Sequence, residues 1–238
     1  MLKNICKIVV DTGAVINEMR GKVKGKEADS IADKMLTEYL NELTPEIRVI
    51  SEEGWQPKYR PKTYWLIDPI DGTASFDSGY SGFVTQVALM VEGYPVMAAV
   101  YAPATDELFY SQKGCGAYKG GSVLQVNAGD PVTLIDNYPE PTGAAKELYL
   151  NLGLTNYIES GSIALKMCRV AEGIADIFYK DVLVHDWDLA APQMILEEAG
   201  GIVTDGSGGK ILYRGSYEVQ GLWVTNKKGR VNYELSLL

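Results

Sequence analysis

The sequence contains only one histidine and three cysteines, which limits the metal and nucleophilic chemistry available to it. A zinc site or a catalytic triad built on His185 would need further ligands, so we interpret this residue as structural. Cys6, Cys115 and Cys168 are far apart, odd in number and free of any C-x-x-C spacing. We therefore expect buried free thiols and neither disulfides nor a zinc site.

Long apolar segments are also missing. No run of about 18 apolar residues is present, and the start of the chain, Met1–Asn4, leads into no signal-peptide core. No internal repeat, low-complexity segment or long linker is seen either. We expect a cytoplasmic protein without a membrane partner.

Basic residues are fewer than acidic residues. The chain has 22 basic and 31 acidic residues, and its formal net charge is −9. This balance disfavours nonspecific binding to nucleic acid or to an anionic membrane. A small anionic substrate remains compatible with it, because bound divalent cations reverse the field around an acidic site.

The length of 238 residues allows one domain or two closely packed halves. Helical spacing of apolar residues predicts helices over 2–19 and 28–43, and valine-rich alternation over 83–101 predicts a hairpin of two strands. Turn-forming residues over 127–131 suggest a boundary between an amino-terminal α+β half, 1–128, and a carboxyl-terminal α/β half, 129–238. Helices and strands alternate in both halves, which favours a layered α/β fold in one globular unit.

The segment 64–76 is the strongest candidate for chemistry, because an apolar run ends there in two carboxylates, a glycine and a hydroxyl group. Tyr64 to Ile67 has the composition of a buried strand, and Pro69 cannot continue a central strand, so we expect a turn at Asp68. A bend at Pro69 would let Asp68 and Asp71 converge, and converging carboxylates repel each other unless a cation lies between them. Gly72 permits close backbone approach, and Thr73 could begin a short helix whose free N–H groups face an anion.

Two other interpretations of this segment remain open at this point. The residues could form a strand followed by an ordinary Asp-Gly turn. They also partly match the D-x-D-G-T nucleophile loop of haloacid dehalogenase-type phosphatases, although there the two aspartates are two residues apart and here they are three apart.

Further acids occupy comparable positions. The predicted strand Ile47–Ile50 is followed by Ser51 and Glu52, so Glu52 would join the aspartates if the two strands are neighbours; otherwise it is an ordinary loop glutamate. Asp188 precedes Pro192, and since proline is tolerated in the first turn of a helix, we expect a helix start near Asp188, with the carboxylate at its positive end or acting only as an N-cap. Gly161 and Ser162 precede another predicted helix and could either cap it or contact an anion.

Three segments together resemble the signatures of the inositol monophosphatase superfamily. They are Ile50–Glu53, Trp65–Thr73, and Trp187–Ala191 with Glu198–Gly201. They occur in the family's order, and most of the chain is compatible with the resemblance.

The resemblance implies a layered αβαβα sandwich of the inositol monophosphatase and fructose-1,6-bisphosphatase type. It also implies hydrolysis of phosphate monoesters by water activated by Mg²⁺, without a phosphoenzyme, with lithium as a common inhibitor and with homodimers in many members. One ion would be held by Glu52, Asp68 and the carbonyl of Ile70, and a second by Asp68, Asp71 and Asp188. Ligands that are all oxygen atoms independently favour Mg²⁺ over zinc.

The resemblance also assigns roles around the reacting phosphate. Thr73, with an acid on the second helix, would orient the attacking water, and Asp33 is the best match for that acid. The amides of Gly72 and Thr73 would hold the phosphate, while Gly161, Ser162 and Asp181 would contact the rest of the substrate. The family usually has a longer loop ending in V-T-x-A-D before this helix, whereas this chain has the shorter segment 26–33, and a third ion depends on that loop.

The motifs are less specific about the substrate. Gly161-Ser162 followed by Lys166 resembles the branch that acts on 3′-phosphoadenosine 5′-phosphate, and the ending Glu198–Gly201 suits inositol monophosphatases equally. Fructose-1,6-bisphosphatase activity also occurs in the superfamily. The remaining alternative is an inactive regulatory protein with the same fold.

Overall fold

The computed structural model describes residues 1–127 and 131–226, which form six helices and twelve strands. The helices are α1 (Leu2–Met19), α2 (Gly25–Leu43), α3 (Thr73–Ser78), α4 (Gly143–Asn151), α5 (Ile163–Ala171) and α6 (Asp186–Glu198). The strands before residue 128 are β1 (Arg48–Ser51), β2 (Thr63–Asp71), β3 (Val84–Val91), β4 (Tyr94–Ala102), β5 (Glu107–Gln112), β6 (Ala117–Lys119) and β7 (Ser122–Leu124). Those after residue 130 are β8 (Thr133–Asp136), β9 (Asn156–Glu159), β10 (Ile177–His185), β11 (Ile202–Asp205) and β12 (Glu218–Thr225).

The strands form two sheets. The first has the sequential order β1 to β7, in which β1 and β2 are parallel and the other neighbours are antiparallel. The second has the order β11-β12-β10-β8-β9. The change of sheet falls between β7 and β8; the predicted boundary near residue 128 stays a prediction, and residues 128–130 lie outside the described residues.

Alternating side chains of each sheet pack against different helices, which gives five layers. In β2, Trp65 and Ile67 pack against α1 and α2, whereas Tyr64 and Leu66 pack into the large core that also contains α5 and α6. In β10, Phe178 belongs to this large core, whereas Ile177 packs with α4. The order α1/α2, sheet, α5/α6, sheet, α4 is the expected αβαβα sandwich.

Two local expectations about proline are wrong. Strand β2 does not turn at Asp68 but continues through Pro69 to Asp71, with an irregular register against β3 between the two aspartates. This is possible because β1 pairs with β2 only as far as Ile67, so Pro69 interrupts no hydrogen bond to β1. Pro192 likewise lies inside α6, which begins at Asp186.

The cysteines are free, but their burial differs. Cys168 is buried, Cys6 is half-buried and Cys115 is exposed, so the expectation of buried thiols holds for Cys168 alone. Among the described residues, no helix has both the length and the hydrophobicity needed to cross a membrane.

Candidate active site

Glu52 and the two aspartates of β2 meet at one edge of the first sheet. Strands β1 and β2 are parallel neighbours, so their carboxyl ends lie side by side, and the backbone N–H of Glu52 donates to the carbonyl of Ile67. The register irregularity after Asp68 turns Asp71 towards the same point. Strand pairing therefore brings Glu52, which follows β1, close to the aspartates at the carboxyl end of β2.

Helix α6 adds the third aspartate from the second half of the chain. Carboxylate oxygens of Asp68, Asp71 and Asp188 lie within 4.8 Å of one another. Asp188 is in the first turn of α6, where its Oδ2 accepts a hydrogen bond from the backbone N–H of His185 at 2.9 Å. The ring of His185 stacks on Trp187, in agreement with a structural role for this histidine.

Burial and mutual repulsion raise the pKa values of these acids. Burial, followed by the charge of Asp71, raises the pKa of Glu52 to about 7 and that of Asp188 to about 8. The pKa of Asp68 is raised by burial and then by Asp71, Glu52 and Asp188. Burial also raises the pKa of Asp71, although the backbone N–H of Ala164 donates to its Oδ2 at 2.7 Å. The acids therefore meet at a cost in free energy that a bound cation would relieve.

The donor set fits a hard divalent cation. Within the described part of the chain, Oδ1 of Asp68 is buried and has no hydrogen-bond partner, while Gln86 donates to its Oδ2 at 3.3 Å. The clustered ligand atoms are all carboxylate oxygens, which Mg²⁺ prefers and zinc does not. These carboxylates can therefore hold a cation. Without one, their mutual repulsion favours the protonated acids.

The acid beside Thr73 is Asp29, and the expected contact with Asp33 is wrong. The hydroxyl of Thr73 donates to Oδ2 of Asp29 at 3.2 Å and lies 3.1 Å from the carbonyl oxygen of Ile70. Asp33 instead accepts a hydrogen bond from Ser51. The reason is that α2 begins at Gly25, whose backbone N–H donates to Asp77 in α3 at 2.8 Å, so the first turns of α2 lie beside α3.

The sequence does contain a signal for Asp29. Ala28-Asp29 matches the A-D that ends the family's V-T-x-A-D pattern, although the role was assigned to Asp33, four residues later. Asp29 and Asp33 are one helical turn apart and share a face, so spacing alone does not distinguish them.

Glycines let the two halves touch beside the acids. Gly72 has a positive φ of 94°, and a side chain there would come within 2.9 Å of the carbonyl oxygen of Gly82. A Cβ atom on Gly161 would overlap the backbone of Gly82, and the backbone N–H of Ser162 donates to the carbonyl of Gly82 at 2.7 Å. The role of Gly82 depends on this long-range contact, for which the local sequence has no signal.

A cavity of about 410 Å³ adjoins this crossing and receives most of the expected substrate-binding residues. Asp71, Gly72, Gly161, Ser162 and Lys166 are among the residues that line it. Ser162 caps α5, with its hydroxyl oxygen accepting from the backbone N–H of Leu165 at 3.0 Å.

Lys166 is buried at the edge of the same cavity. Its ammonium donates to the carbonyl of Gly161 and to Asn137, and lies 4.9 Å from the ring centroid of Phe178. Burial, followed by repulsion from Lys180, lowers the pKa of Lys166 to about 7. This lysine fixes the backbone that bears Gly161.

The structure does not place Asp181 with these residues. Asp181 is exposed and lines a separate groove next to Asp205 and Gln220. The preceding residue, Lys180, pairs with Asp136 at 2.7 Å, and the register of β10 against β12 is irregular between Lys180 and Leu183. Contact between Asp181 and the substrate therefore stays a prediction.

An ion pair that none of the motifs indicates braces the cluster. Arg60, in the loop that follows Glu52, pairs with Asp186, two residues before Asp188. The side chains are 7% and 1% exposed, and the guanidinium also stacks on Tyr217 with its carbon 4.0 Å from the ring centroid. Burial raises the pKa of Asp186 to about 6, and Arg60 opposes that rise.

Comparison with known proteins identifies the family. The model of the inositol monophosphatase family matches residues 12–235. The chain belongs to the inositol monophosphatase family. This confirms the resemblance carried by the three motifs and places the chain among a superfamily of phosphatases acting on phosphorylated small molecules.

Individual family members resemble the chain over most of its length. The 3′(2′),5′-bisphosphate nucleotidase CysQ of Salmonella typhimurium is 31% identical, with 90% of this chain and 94% of that protein covered. The fructose-1,6-bisphosphatase/inositol-1-monophosphatase of Aquifex aeolicus is 30% identical over 81% of this chain and 80% of its own. The solved structure of an IMPase from Thermotoga maritima superposes with a TM-score of 0.84 at 25% identity, covering 98% of this chain and 94% of that one. The layered α/β fold is thereby confirmed.

Proposed function

We propose that this family member is a Mg²⁺-dependent phosphomonoesterase that hydrolyses a small phosphorylated metabolite. The observation that carries the proposal is the convergence of the Asp68, Asp71 and Asp188 oxygens within 4.8 Å, next to a cavity formed by Gly72, Gly161 and Ser162. A cluster of this kind is costly to bury, and a bound cation would offset that cost.

Two ions would share the acids. Asp68, Asp71 and Asp188 would hold one, and Glu52, Asp68 and the carbonyl of Ile70 would hold the other. Mg²⁺ bound there would lower the pKa of a water molecule and would neutralise negative charge on the phosphoryl oxygens. A third ion would depend on the shortened loop before α2.

Thr73 and Asp29 would orient the attacking water. Because the Thr73 hydroxyl uses its proton in the bond to Asp29, its oxygen lone pair is available to accept a hydrogen bond from water. Asp29 is buried next to acids, and burial followed by the charge of Glu52 raises its pKa to about 7, which suits a group that receives a proton near neutral pH. Asp29 replaces Asp33 in this role.

The start of α3 would receive the phosphate. The first N–H groups of a helix have no acceptor within it, so the amides of Gly72 and Thr73 are available for an anion. In-line attack by water would release the alcohol without a covalent phosphoenzyme.

For the substrate we propose 3′-phosphoadenosine 5′-phosphate or an inositol monophosphate. The CysQ relatives and the buried Lys166 favour the first, and the family model favours the second. Fructose 1,6-bisphosphate is the alternative, favoured by the relative from Aquifex aeolicus. Phosphate release from these three compounds, with Mg²⁺, with EDTA and with added lithium, tests the assignment; we expect lithium to inhibit.

The variant Asp71→Asn tests the metal assignment itself. It should keep the fold, because an amide oxygen can still accept from Ala164, but turnover should nearly vanish. Retained activity in saturating Mg²⁺ would contradict the assignment. If no compound were hydrolysed by the wild type, the inactive regulatory protein would be the better description.

We also propose a cytoplasmic location, which the sequence leads us to expect, and a homodimer, which the resemblance implies. Light scattering of the purified protein tests the oligomeric state.

A further inference from the structure

A second and larger cavity lies away from the acid cluster. This anion groove, as we call it, has a volume of about 1050 Å³ and is formed by residues 56–62, Tyr64, the Glu92-Gly93 turn and residues 213–217. None of the clustered aspartates lines it. Its volume is at the upper end of the range for small-molecule sites.

The groove is basic although the chain is acidic. Lys58, Arg60, Lys62 and Arg214 line it, against a single acid, Glu92. Lys62 pairs with Glu92 at 3.4 Å, and Arg60 with Asp186 outside the groove lining. Within the described ranges, Lys58 and Arg214 form no ion pair with an acid, so one uncompensated cation remains on each of the two segments that form the groove.

The walls of the groove are held by hydrogen bonds. Arg60 donates to the carbonyl of Ser216 at 2.6 Å, and the hydroxyl of Tyr217 donates to the carbonyl of Pro57 at 2.9 Å. Tyr213 is buried, and its hydroxyl donates to Gln193 at 2.6 Å. The two segments are thus tied to each other, which reduces the ordering cost that a ligand would meet.

An aromatic side chain at the groove is open to a ligand. Tyr59 is 81% exposed, and the Lys58 ammonium lies 5.6 Å from its ring centroid. An exposed ring next to a cation can stack on a flat ligand while the cation pairs with an anionic group.

We propose that the anion groove binds a small molecule carrying both a phosphate group and an aromatic ring. Lys58 and Arg214 pair with the phosphate. Two cations on separate segments match the double negative charge of a phosphate better than the single charge of a carboxylate. The ring of Tyr59 stacks on the aromatic part. The groove is separate from the proposed hydrolytic site, because none of the proposed metal ligands lines it.

Calorimetric titration with AMP tests the proposal. EDTA is present, so that the bare acid cluster repels the phosphate. We expect AMP to bind more tightly than adenosine or inorganic phosphate alone, and binding to weaken as salt concentration rises. The double variant Lys58→Glu/Arg214→Glu should bind AMP about tenfold more weakly, from the loss of two surface charge pairs.

Matched variants distinguish binding in the groove from a general effect of net charge and from binding at the acid cluster. Lys3→Glu/Lys146→Glu makes the same change in net charge at exposed residues outside the groove and should leave AMP affinity unchanged. Tyr59→Ala removes an exposed side chain, so the fold is retained, and should weaken AMP binding about threefold. Asp71→Asn, which disables the proposed hydrolytic site, should bind AMP as the wild type does.

Several results would overturn the proposal. They are no binding of AMP up to about 10 mM, equal affinity in the wild type and the groove variant, or a change in AMP affinity only in Asp71→Asn. Dissociation of a dimer by Lys58→Glu/Arg214→Glu would also overturn it, since a second copy of the chain would then cover the groove.

Discussion

The hydroxyl of Thr73 donates a hydrogen bond to Asp29 across 3.2 Å, linking the first turn of α3 to α2. The neighbouring acid on the same face of α2, Asp33, contacts Ser51 instead. Two aspartates one turn apart therefore have different partners, and Asp29 is the one that contacts Thr73.

Asp29→Asn and Asp33→Asn form a matched pair. We expect Asp29→Asn to lower kcat by about two orders of magnitude, since an amide cannot take up a proton from water. Asp33→Asn should change kcat by less than about fivefold, because Asp33 accepts its hydrogen bond from Ser51 and an amide oxygen can still do so. Phosphate release measured at saturating Mg²⁺ decides between them, and the reverse order of effects would restore Asp33 to the proposed role.

Arg60→Met should destabilise the protein by about 3 kcal/mol, because it leaves the carboxylate of Asp186 buried without its partner. Asp186→Asn should also destabilise, and the double variant should cost less than the sum of the two. Urea unfolding of the three variants measures this coupling. Additive effects would show that the two side chains do not support each other.

The same variants report on the acid cluster. Arg60 joins the loop after Glu52 to the first turn of α6, so Arg60→Met should lower the affinity for Mn²⁺ measured by electron paramagnetic resonance. Asp11→Asn, which removes an exposed partner of Lys7, is the control and should leave Mn²⁺ affinity unchanged. Unaltered Mn²⁺ binding in Arg60→Met would contradict a bracing role.

Gly161→Ala should be severely destabilising, by more than about 3 kcal/mol, because the added methyl group would overlap the backbone of Gly82. Gly153→Ala is the control: its φ of 60° is strained for alanine, but among the described residues nothing lies within 4 Å of the added atom. That control should cost about 1 kcal/mol. Equal melting temperatures for the two variants would argue against close packing of the halves at this crossing.

The pKa of Lys166, lowered by burial to about 7, predicts a pH-dependent contribution to stability. Between about pH 7 and the ordinary lysine pKa of about 10.4, the unfolded chain binds a proton that the folded chain does not, so stability rises with pH in that window. Relative to Lys166→Met, the wild-type free energy of unfolding should therefore increase from about pH 7 to about pH 9. Lys146→Met, at an exposed position, should run parallel to the wild type; a parallel course for Lys166→Met would refute the prediction.

The sequence predicted those features that depend on local pattern. Helix α1 has the predicted bounds, and the convergence of Asp68 and Asp71 that the motif suggested is seen in the structure, together with Asp188. The layered fold followed from the alternation of elements and from the family resemblance.

The predictions that were wrong or missing concern contacts between segments that are distant in the sequence. Whether Asp29 or Asp33 meets Thr73 is decided by where α2 begins, and whether Pro69 ends β2 is decided by the length of β1. The ion pair between Arg60 and Asp186 and the contact between Gly82 and Gly161 join residues from different halves of the chain. Local composition contains no information on such pairs.

The acid cluster takes Asp68 and Asp71 from the first sheet and Asp188 from a helix much later in the chain. During synthesis on the ribosome, Asp68 and Asp71 emerge long before Asp188. A polypeptide that ends before α6 therefore lacks the complete acid cluster. The proposed metal binding therefore requires that translation has passed the start of α6.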